Sequence, residues 1–184
     1  ILKLDISLLR LGFGHNPELL RLAGSMGGLL DDTMETVRRI SSNLRPAALD
    51  LGLVAALEWL AEDLQTRSGV CCRLDIAEED IALDEERATV VFRVVQESLT
   101  NVVRHAEASK VRITLRRTGT HLNLQVQDNG RGFNPKAPSP SRGFGLLSME
   151  ERVRALGGHL RLDTSPGAGV GLSIFIPLQE AAAA

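Results

Sequence analysis

The stretch Asp128-Asn129-Gly130-Arg131-Gly132-Phe133 decides how the rest of the chain is interpreted. It ends a run of alternating residues in which Leu122, Leu124 and Val126 share one side of a strand with Asp128. A carboxylate at the end of such a buried row is costly unless a hydrogen-bond donor satisfies it. Asp-Asn-Gly is also a favoured turn sequence. By itself, this stretch therefore predicts either a turn that ends a strand or the wall of a binding site.

A second polar pattern lies on a helix predicted from Asp84 to about Ala106. Glu97, Asn101 and His105 are spaced four apart and share one stripe, with Arg104 beside it. An acid, an amide and an imidazole in a line can coordinate Mg²⁺ and contact phosphates. Taken alone, however, the stripe is better explained as a solvated helix face.

The third motif is Arg142-Gly143-Phe144-Gly145-Leu146, which ends a Gly/Pro/Ser-rich loop and opens a helix. Glycines before a helix N-terminus present free N–H groups to a phosphate, and the preceding 134–141 segment is predicted to be a mobile lid. The motif is not a Walker A loop, because no Gly-Lys-Ser/Thr follows it, and the βαβ frame of a dinucleotide site is absent. Taken alone, it is explained equally well as a loop punctuated by glycine.

Hydrophobic periodicity supplies the elements around these motifs. Helices are predicted over 1–11, 18–44, 53–66, 84–106 and 145–156, and strands over 70–76, 110–117, 121–128, 160–164 and 170–177. This order predicts an α+β fold, a two-layer sandwich of helices on a mixed, mostly antiparallel sheet.

The first two predicted helices form a hairpin whose apolar stripe needs a partner. An antiparallel hairpin within a homodimeric four-helix bundle would supply one; the alternative is packing on the next domain of the same chain. We divide the chain into a dimerisation hairpin (1–46), a linker with the first helix of the next domain (47–69), a main domain (70–178) and a tail (179–184). The chain begins inside an amphipathic pattern, so we expect it to be a piece of a longer protein.

Composition excludes several classes of protein. A net charge of −2 and an aromatic content of 3% argue against a nucleic-acid partner. No apolar stretch is long enough to span a membrane, so a membrane would be reached only through parts not present here. Cys71 and Cys72 are adjacent, which excludes a CxxC motif. We expect reduced thiols, one of them buried, and a cytoplasmic location.

The three motifs together, in this order, resemble the N, G1 and G2 boxes of the histidine-kinase ATPase family. Residues 96–106, 128–133 and 143–146 carry the resemblance, which extends over about 51–178. The family shares its Bergerat fold with gyrase, Hsp90 and MutL. The resemblance implies an ATP-binding catalytic domain that uses ATP and Mg²⁺.

Site roles follow from the resemblance, position by position. Asn101 would hold Mg²⁺, and Asp128 would recognise adenine. Glu97 matches an acidic residue that is a general base in the ATPase relatives, which makes it the candidate catalytic residue. The remaining ATP-binding positions are Arg104, His105, Gly130, Gly132, Phe133, Gly143, Gly145, Leu146 and Gly169.

Three further segments, 42–53, 148–153 and 156–158, are similar to the sensor histidine kinases that signal to helix-turn-helix response regulators. The similarity implies a dimer that phosphorylates a histidine early in its first helix and passes the phosphoryl group to a regulator aspartate. Two alternatives remain: an ATP-hydrolysing relative, and a non-enzymatic nucleotide-binding or dimerisation module.

The chain departs from the family pattern at two places. The phosphoacceptor belongs to a His-Asp pair, which this sequence lacks, and His15 lies in a predicted turn. We therefore expect no phosphoacceptor in this chain. Val170 replaces a usual threonine, whose hydroxyl would help to hold Asp128 through water. We expect either weaker adenine binding or another group in that role.

Overall fold

The computed structural model describes residues 2–13, 15–43, 46–76, 83–135 and 144–178. The chain divides into two compact units, Ile1–Arg45 and Pro46–Ala184. The predicted lid and Gly143 fall largely or wholly outside the described residues, as does the tail 179–184.

The first unit is a pair of helices, α1 (Leu2–Gly12) and α2 (Pro17–Asn43), that pack against each other. Asn16 caps α2, because its Oδ1 accepts hydrogen bonds from the Glu18 N–H at 3.0 Å and the Leu19 N–H at 3.2 Å. Pro17 suits the first helical position, where its missing N–H is not needed. The predicted hairpin is therefore present, and His15 lies in the turn between its helices.

The described residues of the second unit form three α-helices and five strands. A 3₁₀ turn (Ala47–Leu51) leads into α3 (Leu53–Ser68) and β1 (Cys71–Ile76); α4 (Glu85–Asn101) and a π turn (Val102–Ala106) precede β2 (Lys110–Thr118) and β3 (His121–Asp128); α5 (Phe144–Ala155), β4 (His159–Thr164) and β5 (Val170–Pro177) complete it. The sheet order is β1-β2-β3-β5-β4. Among the strands that the structure describes, only β1 and β2 pair in parallel, so the predicted mixed, mostly antiparallel sheet is confirmed.

The core of this unit lies between the helices and one face of the sheet. Residues at alternate positions of β3 and β5 point into it, and the pairing of Leu124 with Ile174 places two fully buried side chains side by side. Phe92 on α4 is among the largest of the buried side chains. At the edge strand β1, Cys71 is exposed and Cys72 half-buried. Burial, reinforced by the adjacent Cys71 thiol, raises the pKa of the Cys72 thiol to about 11.

Helix α4 starts and ends at defined features. The predicted helix begins at Asp84, and the Arg87 N–H donates to Asp84 Oδ1 at 2.9 Å, which makes Asp84 the N-cap of α4. The buried Arg87 guanidinium bonds Asp84 Oδ2 at 2.6 Å and the Pro177 carbonyl at 2.9 Å. At the other end, the helical run ends at Ala106 as the sequence predicts, but its last five residues form a π turn, and Glu107 then adopts φ 54°.

Candidate functional site

Asp128 ends β3 on the buried side, as its place in the alternation predicts, and is 8% exposed. Its Oδ1 accepts two main-chain hydrogen bonds, from the Gly130 N–H at 2.8 Å and the Val170 N–H at 3.3 Å. In the described part of the chain Oδ2 accepts none. One oxygen therefore orients the carboxylate, and the other is available to a donor from outside the chain.

Three glycines allow the backbone to close around this carboxylate. A Cβ on Gly169 would overlap the Asp128 carbonyl oxygen, and one on Gly132 would overlap the Ser165 carbonyl oxygen. Both residues also adopt positive φ, 71° and 56° respectively. A Cβ on Gly130 would overlap the Ala106 carbonyl oxygen. The glycines predicted from the sequence are thus required by close backbone approach.

The same loop is joined to the end of the π turn. The Arg131 N–H donates to the Ala106 carbonyl at 2.8 Å, so the helix that carries Glu97 and Asn101 is attached to the Asp128 loop at its C-terminal end. Main-chain contacts therefore bring together two of the three sequence motifs, the 96–106 helix segment and the 128–133 loop.

Asn129 is a structural residue of the loop that the sequence motif does not single out. Its Oδ1 accepts from the N–H groups of Ser109 and Lys110 at 3.0 and 2.9 Å, and its Nδ2 donates to Ser109 Oγ at 3.0 Å. These bonds fasten the loop to the start of β2. Its position in an Asp-Asn-Gly turn is the only sequence signal for this role.

Glu97 connects the helix to the third motif. Glu97 and Asn101 are both half-buried on α4, and a Cβ on Gly145 would overlap Glu97 Oε1. The start of α5 therefore lies directly against the Glu97 carboxylate. Leu146, next to this contact, is half-buried and packs on the core.

The remaining candidate residues lie nearer to solvent. Arg104 and His105 are exposed on the π turn. The fourfold spacing that groups His105 with Asn101 assumes a regular α-helix, and the π turn interrupts it. Phe133 is 38% exposed. Gly143 lies outside the described residues.

Val170, which lacks the hydroxyl usual in the resembled family, still contributes to the site. Its main-chain N–H donates directly to Asp128 Oδ1. The side chain at this position is therefore not needed to orient the carboxylate. The sequence left open that another group takes the role of the missing hydroxyl, and this main-chain N–H is a group in contact with Asp128.

Within the described residues, no group of three or more His, Cys, Asp or Glu side chains is arranged to hold a metal ion. Asn101 is outside that set of residue types. Mg²⁺ usually keeps several waters and takes only one or two protein ligands together with substrate phosphates. An amide oxygen on Asn101, about one helical turn from Glu97 on α4, fits that mode of binding. In the described part of the chain, no helix has the length and apolar character needed to cross a membrane.

Comparison with known proteins places this geometry in a family. The model of the histidine kinase-, DNA gyrase B- and HSP90-like ATPases matches residues 86–180. The signal transduction histidine-protein kinase/phosphatase UhpB of Salmonella typhimurium is 39% identical over 142 residues, which are 76% of this chain and 28% of UhpB. The chain thus spans about a quarter of the length of that relative.

Solved structures share the fold. The blue-light activated histidine kinase of Erythrobacter litoralis EL346 aligns with a TM-score of 0.64 at 24% identity, covering 86% of this chain and 52% of that one. The histidine kinase AdeS of Acinetobacter baumannii aligns with a TM-score of 0.60 at 18% identity, covering 90% and 86%. At these identities the likeness establishes the fold.

Proposed function

The chain belongs to the family of histidine kinase-, DNA gyrase B- and HSP90-like ATPases and holds the ATP-binding catalytic domain of a two-component sensor histidine kinase; on this basis we propose that the site around Asp128 positions Mg·ATP for phosphoryl transfer to a histidine. The observation that carries the proposal is the Asp128 carboxylate, which is buried, oriented through Oδ1 and open at Oδ2.

Asp128 is the adenine-binding residue in this proposal. The exocyclic amine of adenine donates to Oδ2, which lacks a donor in the described chain. Gly130, Gly132 and Gly169 allow the main chain around Asp128 to pack closely on neighbouring segments, and Phe133, 38% exposed at the end of the same loop, offers an apolar surface.

The phosphates lie toward α4 and the start of α5. Asn101 is the Mg²⁺ ligand, and Glu97 is the candidate catalytic residue, held against Gly145. Arg104 and His105 extend into solvent from the same helix and are suited to contact phosphate oxygens. Gly145 and Leu146 lie in the first turn of α5, where free N–H groups favour anions, and Gly143 remains an ATP-binding candidate from the sequence alone. When bound, ATP supplies the γ-phosphoryl group, and the residues act by positioning and charge neutralisation.

The partners proposed here belong to the intact protein. The chain has no His-Asp pair, so the phosphoacceptor lies in a segment that this sequence does not contain. The phosphoryl group then passes to the receiver domain of a response regulator, of the kind linked to helix-turn-helix outputs. The first unit exposes Leu22, Met26 and Leu29, which supports homodimerisation through the hairpin. The proposed location of this catalytic portion is the cytoplasm, where Mg·ATP is present.

The variant Asp128→Asn tests the adenine assignment. It replaces the charged acceptor and presents an amide that adenine cannot use equally well, so ATP affinity should fall by about a hundredfold while the melting temperature changes little. Calorimetric titration of the chain with Mg·ATP measures this. The matched control is Asp75→Asn, which loses only an exposed ion pair with Arg116. Unchanged affinity in Asp128→Asn would exclude the assignment.

The variant Asn101→Ala tests the metal assignment. Removal of the amide oxygen should weaken ATP binding by about tenfold in the presence of Mg²⁺ and hardly at all in EDTA. Asn123→Ala, on the open face of the sheet, is the control. Equal losses with and without the metal would contradict a metal role for Asn101. A sustained release of phosphate by the wild-type chain would favour the ATP-hydrolysing alternative.

A further inference from the structure

The Thr164 hydroxyl lies between the two loops that flank Asp128. It is half-buried at the end of β4, opposite Val170 in the sheet register. The Phe133 N–H donates to its Oγ1 at 3.1 Å, and Oγ1 is 2.9 Å from the Gly169 carbonyl and 3.5 Å from the Phe133 carbonyl. One side-chain oxygen therefore contacts both the Asp128 loop and the turn before β5.

A threonine hydroxyl has a single proton, so its hydrogen bonds have defined directions. It donates to the Gly169 carbonyl, the nearer of the two acceptors, and accepts from the Phe133 N–H. Both hydrogen bonds depend on the hydroxyl. Its removal leaves the Phe133 N–H on one loop and the Gly169 carbonyl on the other without this partner.

The turn before β5, which Thr164 contacts at Gly169, also orients the Asp128 carboxylate. Val170 has no side-chain donor, so it contacts Asp128 Oδ1 through its main-chain N–H. That N–H and the Gly169 carbonyl bound by Thr164 belong to one planar peptide group, so fixing the carbonyl also fixes the direction of the N–H. On the other side, the Gly167 N–H donates to the Arg131 carbonyl at 2.6 Å, which joins the same two loops independently.

We propose that Thr164 is a positioning residue for base recognition: its hydroxyl fixes the Gly169–Val170 peptide so that Asp128 Oδ2 faces a base bearing an exocyclic amine. The inference rests on the proposed function, since it assumes that Asp128 binds adenine. Thr164 itself does not touch the nucleotide. Thr164 affects which base the site prefers, whereas the residues proposed to contact the phosphates lie toward α4 and the start of α5.

The test compares ATP with inosine triphosphate, which carries a carbonyl in place of the amine. Binding of each to the chain is measured by calorimetry for wild type, Thr164→Val and Thr164→Ser. Thr164→Val keeps the shape and removes the hydroxyl; it should weaken ATP by about tenfold and change inosine triphosphate by less than about twofold. Thr164→Ser should restore the preference for ATP. Thr118→Val, at an exposed threonine on β2, is the matched control and should match wild type.

The outcomes separate this inference from the proposed function. If Thr164→Val weakens both nucleotides equally, or keeps the wild-type preference, the positioning role is excluded even though Asp128→Asn still loses ATP. If wild type shows no preference for ATP over inosine triphosphate, the adenine assignment itself fails. A fall in the melting temperature of Thr164→Val that Thr164→Ser does not share, with the wild-type base preference kept in both variants, would assign the hydroxyl to stability alone.

Discussion

Helices α2 and α4 have the same apolar periodicity but opposite burial. On α4, Val91 and Val95 are completely buried, whereas on α2 Leu22 is 57% and Leu29 65% exposed. Both stripes predict a helix with one apolar face. The difference is that α4 packs on a sheet within its own unit. In the described part of the first unit, α2 packs against the short helix α1.

The comparison shows that periodicity identifies a face that must be covered but not what covers it. The second unit completes its core from its own helices and strands. The first unit leaves a row of leucines open in the single chain, and water contact with such a row is unfavourable. The proposed homodimer rests on this contrast, and four predictions test how the two units differ.

The largest expected effect comes from truncation of the core of the second unit. Phe92→Ala removes a side chain that is 2% exposed and should lower the free energy of unfolding by about 3–5 kcal/mol. Chemical denaturation followed by circular dichroism measures this. The matched variant on α2, Leu22→Ala, should change the stability of the second unit by less than about 0.5 kcal/mol.

The same pair of variants tests what covers the α2 stripe. Leu22→Ala should shift the molecular mass found by light scattering toward that of one chain, and Phe92→Ala, at concentrations where it remains folded, should not. If Leu22→Ala lowers unfolding stability as much as Phe92→Ala, the stripe is covered within the chain and the contrast between the helices disappears.

A smaller effect is expected at the start of α4. Asp84→Ala removes the N-cap hydrogen bond and should cost about 1 kcal/mol at pH 7. Burial opposes ionisation of Asp84, but the hydrogen bonds and charge of Arg87 outweigh it and hold the pKa of this carboxyl below its usual value of 3.8. A lowered folded-state pKa means that the contribution is complete above about pH 4 and is lost as the pH falls through the lowered pKa.

Unfolding curves at pH 7 and at pH 3 check the sign for Asp84. The difference in free energy of unfolding between wild type and Asp84→Ala should be smaller at pH 3 than at pH 7. A difference that stays constant or widens would mean that the charge of Asp84 does not contribute to the cap.

The smallest effect is expected at a glycine of the first unit. Nothing lies within 4 Å of a Cβ placed on Gly27 in the middle of α2, so Gly27→Ala should stabilise this helix by about 0.5–1 kcal/mol, seen as increased helicity on heating. Gly169→Ala, where a Cβ would overlap the Asp128 carbonyl oxygen, should destabilise the second unit instead. A loss of helicity in Gly27→Ala would indicate that another chain approaches α2 at this residue.

Most of the fold could be predicted because alternation and caps are local. The bounds of β3 and β5 agree with the periodicity, and Asp84 caps α4 as its residue type suggests. The π turn at Val102–Ala106 could not be predicted, since the packing of Ala106 against Gly130 is a long-range contact. The roles of Asn129 and Thr164 are hidden for the same reason: each bonds main-chain groups about 20 to 31 residues away.

The sequence by itself determined that Asp128 lies on the buried side of a strand and that glycines surround it, because strand alternation and the absence of a Cβ are properties of single residues. The resemblance of the three motifs to the family is also carried by the sequence, and the family comparison confirms it. Only the tertiary structure decided how the carboxylate is held. Its Oδ1 is fixed by the N–H groups of Gly130 and Val170, and main-chain donors, which every residue but proline carries, leave no mark in the sequence.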